Sequence, residues 1–327
     1  MRLENSEGYT AERLIRESAE MSLGVTPINV SANTMTTPLF SGKLLVREVQ
    51  PGLVLTASDI EYRCGDELTV QVESALICGV LLDGEAERMH IGRFGSVEKS
   101  LERPVLFGVS ESTECTRSPH DSYACKDAGF MVRPTFFERF DDDITDEGLG
   151  DLNFFLQQPF ASRTLMRAPK VLDIAANLLD HPYNGPLGAL FLESSALQFV
   201  IEIARMLRTE NAYIAEIGRR HYERVMAARE ILDHRLINPP STLDLAREVG
   251  SNVTTLQRNF KKVFSTTIFG YVRAQRLRMA RVLLAENGLT AAETGQRVGF
   301  ASASAFAAAY RRHFGHPPSS DRNRNRK

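Results

Sequence analysis

Hydrophobic and polar positions change rhythm along this chain of 327 residues. Between Met35 and about Phe140, short runs rich in β-branched and aromatic residues (KLLVREV, LVLTASDIEYR, LTVQV, ALICGVLL, ERMHIG, PVLFGV, GFMVRP) alternate with Gly, Pro, Asp and Ser. Several short strands at such spacing predict an antiparallel sandwich or barrel. Residues 1–35 read as helical and then loose. The acidic run Asp141, Asp142, Asp143 reads as a solvated loop that closes the block. From about Leu149 the apolar period becomes helical, with Val171, Ile174 and Leu178 on one face. After a break at Pro182, Gly185 and Pro186, the stretch LGALFLESSALQFVIEIARMLRTE predicts a helix whose wide apolar face suits burial or a subunit contact. The rest is helix and turn. The expected fold class is α+β: a β-rich domain over 1–150, a helical linker and association region over 151–222, and an all-α domain over 223–327.

The last block contains an internal duplication. LAREVG leads through NVTTLQRNFKKVFS, and TGQRVG leads through ASASAFAAAYRRHFG. Val249-Gly250 matches Val298-Gly299; Leu256, Phe260 and Phe264 match Phe306, Tyr310 and Phe314. Each copy carries the parts of a helix-turn-helix. Ser241 with Asp244, and Thr290 with Glu293, are N-cap pairs for a short first helix. Gly250 and Gly299 suit the left-handed turn after it. Asn252 and Ser302 then cap a second helix, seated by aromatics at i, i+4, whose other face is left for a DNA groove. Between the copies, IFGYVRAQRLRMARVLLAEN predicts a connecting helix ended by Asn287-Gly288. About 20 helical residues span roughly 30 Å, close to the ~34 Å of one DNA turn. The exposed positions name the candidates. Thr254, Gln257 and Arg258 on the first reading helix, and Ala303 and Ser304 on the second, would face bases. Asn252, Lys261, Lys262, Arg311 and Arg312 would face phosphates.

Charge supports that assignment. Residues 219–327 hold 20 Lys+Arg against 8 Asp+Glu, a net of +12, whereas the preceding residues net −14. Only the C-terminal part is built to meet a polyanion, although attraction between the two halves would produce the same asymmetry. Four scattered cysteines and the absence of a secretory signal suggest reduced thiols in a cytoplasm. No run reaches the ~20 uninterrupted apolar residues of a membrane span, so no membrane is expected.

From about Met226 to Arg322 the residues LDLAREVG, LQRNFKKVF, YVRAQRLRMARVLL, RVGFASASAF and FGHPPSSDR resemble the DNA-binding domain of AraC/XylS regulators. PGLVLTASDIEYR, ALICGVLLDGEAE and LGALFLESSALQFVIEIARML are similar to the sensor region of the family's pyochelin-type members. The resemblance implies a cupin-like sensor that binds a small-molecule effector, a siderophore in those relatives. Double-stranded DNA is the expected partner and RNA polymerase the machinery acted on; the activator or repressor sign stays open, and a homodimer is one association that the apolar helix would support. Three departures stand out. Ser265 replaces the usual glycine after the first aromatic. Thr294-Gly295 replaces Ile-Ala, which should loosen the second unit, since glycine costs ~1 kcal/mol in a helix. Ala307 and Ala308 stand where a base-reading arginine is frequent. The first unit is therefore expected to specify sequence and the second mainly to anchor.

Other chemistry is thinner. Cys115, His120 and Cys125 could form an effector, metal or redox site, but C-x4-H-x4-C is not a zinc spacing, and a polar loop with incidental thiols is the plainer reading. His90 on a strand could line a barrel, without an H-x-H partner. No phosphate-binding or nucleophile motif occurs. No cofactor is expected and the chain is not read as an enzyme. The alternatives are a cupin-type metal-binding enzyme with a helical appendage, against which the missing metal triad argues, and an architectural DNA binder, for which the acidic β-rich domain has no use.

Overall fold

The computed structural model describes residues 4–20, 25–28, 35–62, 68–85, 88–117, 124–140, 148–286 and 289–322. The chain forms two compact units, Met1–Thr209 and Glu210–Lys327.

The first unit is built on two antiparallel sheets. The strands are β1 (Glu4–Tyr9), β2 (Val25–Ile28), β3 (Phe40–Gln50), β4 (Leu53–Tyr62), β5 (Leu68–Val72), β6 (Ala75–Gly84), β7 (Arg88–Ile91), β8 (Gly95–Glu98), β9 (Pro104–Val109), β10 (Thr113–Arg117), β11 (Ala124–Val132) and β12 (Phe160–Thr164). Seven make one sheet in the order β1-β3-β4-β11-β6-β9-β12; five make the other in the order β2-β5-β10-β7-β8. Alternation sends the large sheet's side chains to its two faces, where most join one of two cores. Val54, Ala75, Val105, Phe107, Val109 and Met131 join Val72, Ile91, Val97 and Cys115 in one buried cluster shared by the two sheets. Leu53, Leu55, Leu76, Cys78, Leu106, Phe130 and Val132 pack instead with the helices. Burial on both faces explains why ALICGVLL and PVLFGV read as nearly continuous apolar runs.

Those helices are α2 (Pro134–Phe137), α3 (Leu149–Gln157), α4 (Pro169–Leu179) and α5 (Gly185–Ile217). Phe199 of α5 is fully buried, edge-on to Phe130 at 5.3 Å between centroids. Glu202, also buried, accepts hydrogen bonds from Lys170 and Arg205. Burial alone would push its carboxyl up, but those two cations hold it below the usual carboxylate range. Helix α5 is long and apolar enough by composition to cross a membrane, against the sequence expectation; half of its most apolar stretch is buried inside the protein. Here it is a core helix.

Three expectations change. Residues 1–35 are not simply helical: β1, the helix α1 (Ala11–Glu20) and β2 are present, and β1 and β2 form an edge of each sheet. Such edge strands are stabilised by pairing with β3 and β5 rather than by their own pattern. The helical region after Leu149 also contains β12, paired with β9 at the opposite edge. Lastly, the stretch 151–222 is divided between the units. Its residues up to Leu207 build the sheet-facing core, while Tyr213, Ile214 and Ile217 pack on a cluster of the second unit. Asp141, Asp142 and Asp143 lie outside the described residues.

The second unit is all helix: α6 (Arg219–His234), α7 (Thr242–Glu248), α8 (Val253–Phe264), α9 (Ile268–Glu286), α10 (Ala291–Arg297), α11 (Ala303–Phe314) and α12 (Pro318–Arg322). It has two separate cores. Tyr222, Val225, Leu245, Leu256, Phe260, Tyr271 and Val272 form the first; Leu277, Ala280, Leu284, Val298, Phe306 and Tyr310 form the second. Helix α9 serves both, with its first turns in one core and its last turns in the other. Asn287-Gly288, read as its cap, lie outside the described residues.

Candidate nucleic-acid interface

Each core supports one helix-turn-helix, and local chemistry fixes the ends. The Ser241 hydroxyl accepts from the Asp244 amide at 3.2 Å. Thr290 and Glu293 complete a capping box. Gly250 and Gly299 take φ of 65° and 82°, the left-handed conformation that turns the chain into α8 and α11. Asn252 accepts from Thr255 N at 2.7 Å, and Ser302 from Ala305 N at 3.2 Å. Helix α8 ends at Ser265 with φ 55°, where α11 ends at Gly315 with φ 81°. The departure at Ser265 is thus a left-handed position held by a residue with a Cβ, at a cost of ~1–2 kcal/mol.

The sequence candidates lie on the faces that the cores leave exposed. On α8, Leu256, Asn259, Phe260 and Val263 are buried, while Thr254, Gln257, Arg258 and Lys261 are exposed at i, i+3, i+4 and i+7. The two groups occupy opposite sides of one helix. Asn252 uses its side-chain oxygen in the cap, which leaves Nδ2 as the donor a phosphate would meet. Lys262 departs from the expectation of a phosphate contact: it is 2.5 Å from Glu216, so a phosphate would have to displace that carboxylate. On α11, Phe306 and Tyr310 are buried; Ala303, Ser304, Ala305, Ala308, Arg311 and Arg312 are exposed. Ser304 shares a hydrogen bond with Ser302 at 3.1 Å. Apart from Ser304, the first two turns of this exposed face are alanine methyls, so its charge is concentrated in the last turn. Arg324, Arg326 and Lys327 lie outside the described residues.

The second core is closed by a polar lock. The Tyr310 hydroxyl donates to Asp321 at 2.5 Å, and Arg281 and His316 approach the same carboxylate at 3.5 and 3.8 Å. Burial and that carboxylate both push the phenol's pKa upward. The first core uses the same residue types: Tyr271 donates to Asp233 at 2.8 Å beside Arg229.

Gly295 overturns the expected loosening. A Cβ there would lie 2.9 Å from Cβ and Cγ of Phe306, so glycine is what lets α10 rest directly on the aromatic ring. Its neighbour is a defect. Thr294 is fully buried, and among the described residues its hydroxyl has no hydrogen-bond partner. An orphaned buried hydroxyl costs ~1–3 kcal/mol. Thr294→Val, nearly isosteric, is therefore expected to stabilise the helix-turn-helix domain by about 1 kcal/mol, read as a higher midpoint in a denaturant titration; a lower midpoint would show that the hydroxyl does find a partner.

The sequence candidates outside this unit are not brought together. Cys115 is buried on β10 in the cluster between the sheets; Cys125 is buried on β11 in a different cluster with Tyr9, Phe40 and Ile60. Both sit on strands rather than in a polar loop. Burial pushes the Cys115 thiol up to about 11, which leaves it protonated and a poor metal ligand near neutral pH. His120 lies outside the described residues. His90 is exposed, with its Nδ1 3.4 Å from Ser96. The first unit does contain a cavity of about 260 Å³ that sequence reasoning missed. Val46, Val54, Ile77 and Met131 of one sheet, Val25, Pro27 and Val70 of the other, and Leu14 and Glu17 of α1 line it. Its walls are apolar apart from Thr56 and Glu17, which Arg13 meets at 2.5 Å. Alternation at 44/46 and 54/56 was the available signal, but the pairing that gathers these strands is non-local.

Comparison with known proteins agrees with this division. Residues 41–216 match the family described as Regulatory protein PchR N-terminal domain, and residues 245–324 match a helix-turn-helix domain. The chain is similar to Regulatory protein PchR of Pseudomonas aeruginosa, 34% identical over 122 residues, which cover 36% of this chain and 41% of that protein. It is also similar to HTH-type transcriptional regulator ExsA of the same organism, 26% identical over 145 residues, 44% of this chain and 50% of that one. The chain thus spans half or less of the curated relatives it matches. A transcriptional regulator of Chromobacterium violaceum with an AraC-type DNA-binding domain superposes with a TM-score of 0.31 at 30% identity, over 32% of this chain and 92% of that one. The family match spans more than half of the residues, and a helix-turn-helix domain follows it: this chain belongs to the AraC family of regulators, in the group with a PchR-type N-terminal domain.

Proposed function

We propose that this protein is a sequence-specific DNA-binding transcription regulator of the cytoplasm, acting on RNA polymerase and controlled by a small molecule held in its β-rich unit. The observation that carries the reading is the pair of exposed helix faces on α8 and α11, joined by a 19-residue helix, in a segment with a net charge of +12. Nineteen residues give a connector of about 28 Å, which allows the two reading helices to enter successive major grooves. Thr254, Gln257 and Arg258 supply donors and acceptors for base edges. Ala303 and Ser304 supply little, so the second unit anchors through Arg311 and Arg312. Selection of the full chain against random duplexes of about three helical turns tests this. A bipartite motif with centres about one helical turn apart is expected; enrichment of no motif would refute it.

The effector reading moves from the cysteines to the cavity between the sheets. About 260 Å³ lies near the low end of small-molecule pockets, ~300–1,000 Å³, and its apolar walls with one carboxylate favour a small, largely apolar molecule. Similarity to the siderophore-responsive members would supply a ferric siderophore, whose polar iron-binding groups this lining does not match, so a small apolar ligand is the first candidate for the cavity and the siderophore the second. Ile77→Trp is expected to fill the cavity, to abolish the thermal shift given by such a ligand, and to leave DNA affinity within about twofold. A ligand shift that survives the tryptophan places the effector elsewhere. A homodimer would use the exposed Leu187, Leu190 and Ile201 of α5, with half-buried Leu197 between them, opposite its buried face; Phe199, being core, would not take part.

A further inference from the structure

Among the described residues the two helix-turn-helix units have separate apolar cores that share only helix α9, so side chains at the seam decide how one unit is held against the other. At that seam lies Arg276, between Val272 of the first core and Leu277 of the second. Its guanidinium makes three hydrogen bonds to backbone oxygens. Nε donates to Leu236 O at 2.9 Å, and an Nη to Ile237 O at 2.7 Å. The other Nη donates to Gly299 O at 2.8 Å. Leu236 and Ile237 follow α6 and lead into the first helix-turn-helix; Gly299 is the turn of the second helix-turn-helix. One planar side chain therefore ties the two units together through main-chain atoms, which cannot move without moving their elements.

A second observation, independent of the arginine's hydrogen bonds, marks the same seam. A Cβ on Gly299 would lie 3.0 Å from Ile237 O and 3.1 Å from the Arg276 guanidinium carbon. The equivalent Gly250 of the first unit is open: its nearest neighbour would be an Arg224 nitrogen at 3.7 Å. The turn of the second unit is thus pressed onto the chain leaving α6, whereas the turn of the first unit has no such contact. The duplicated sequence gives no hint of this difference.

We propose that Arg276 is a positioning residue that fixes the angle between the two reading helices and so determines which half-site spacing the protein accepts. It touches neither bases nor phosphates in this role. A helix alone resists bending but leaves the second unit free to rock about α9; the three-carbonyl clasp adds the second point of attachment that removes this motion. The inference rests on the proposal that both units engage DNA together. It predicts a particular signature: loss of the clasp relaxes spacing discrimination without weakening the first unit's grip on its own half-site.

The test uses the full chain and two readouts, one of which needs no DNA. Spin labels at Ala227→Cys on α6 and His313→Cys on α11, both exposed positions, report the distance between the units, in a background where Cys64 is serine. A single narrow distribution is expected for the parent and a broad or shifted one for Arg276→Gln. Affinities are then measured on the selected bipartite duplex, on the same duplex with one base pair inserted or removed between half-sites, and on the first half-site alone. The parent is expected to lose roughly tenfold or more on changed spacing. Arg276→Gln is expected to discriminate less than about threefold, with first-half-site affinity unchanged. Gly299→Ala disturbs the seam from its other side and should reproduce the effect; Arg276→Lys, which keeps the charge but not the fork, should fall with Gln rather than with the parent. Circular dichroism establishes that each variant is folded, and Gly299→Ala carries the test if Arg276→Gln is not. An unchanged distance distribution, or full spacing discrimination in the folded variants, overturns the clamp. A parent that is itself indifferent to spacing overturns the two-groove reading, and the distance measurement separates that result from failure of the clamp.

Discussion

Replacing Arg258 by alanine is expected to weaken binding to the selected duplex by about 1–3 kcal/mol, roughly 5- to 150-fold, while affinity for random DNA falls far less. Arg258 lies on the face of α8 that Leu256 and Phe260 leave outward, between Thr254 and Lys261, and among the described residues no ion pair holds it. A guanidinium there can meet guanine O6 and N7 together, an interaction that discriminates as well as attracts. Arg311 and Arg312 give the contrasting result. They sit in the last turn of α11, beyond its alanines, and charges so placed hold phosphates. Neutralising both should weaken every sequence alike and reduce the salt slope by ~0.9 for each phosphate that is no longer neutralised. Affinity against salt, on duplexes scrambled in one half at a time, reads both effects. If scrambling the half under the second unit costs as much as scrambling the other, the proposed division between specifying and anchoring is wrong.

Gly295→Ala is expected to destabilise the second unit by about 1–3 kcal/mol, although helix propensity alone predicts a gain of ~1 kcal/mol. The sign is decided by one close approach. The added methyl would stand 2.9 Å from Phe306, which is itself fully buried among Leu277, Ala280, Leu284, Val298 and Tyr310. A core this small has little room to shift, and Phe306 seats the reading helix. Displacing it should therefore also weaken binding through the second unit, and opposite changes are expected at the two adjacent positions: Thr294→Val up, Gly295→Ala down. Denaturant unfolding of the two single variants checks this. A stabilised Gly295→Ala would mean that Phe306 can retreat and that the close approach is not required.

Local chemistry made the C-terminal unit legible in the sequence. Helix ends are set by caps within three or four residues, so Ser241, Asn252, Thr290 and Ser302 could be placed without tertiary knowledge. The i, i+4 aromatics told which face of each reading helix is buried. Hence Thr254, Gln257, Arg258 and Lys261 were identifiable as exposed before any coordinates, and the repeat strengthened each copy by the other. The two-rhythm pattern likewise separated a β-rich part from a helical one, because periods of 2 and 3.6 are properties of the backbone.

What the sequence left open depended on residues far apart in the chain. β1, β2 and β12 have short, weak patterns and exist because a partner strand offers hydrogen bonds, so their place at the sheet edges came only from the fold. Cys115 and Cys125, close in sequence, belong to different clusters because β10 and β11 enter different sheets. Lys262 reads as a phosphate ligand until Glu216 is found beside it. Propensity gave Gly295 the wrong sign, since the Phe306 ring that requires it arrives from the next helix. Arg276, one of several arginines in YVRAQRLRMARVLL, is distinguished from Arg273 and Arg278 only by the carbonyls of Leu236, Ile237 and Gly299, which the folded chain brings to it from both sides. Elements and faces follow from neighbours along the chain, whereas the packing of one element on another is decided by closure of long loops, which no local pattern encodes.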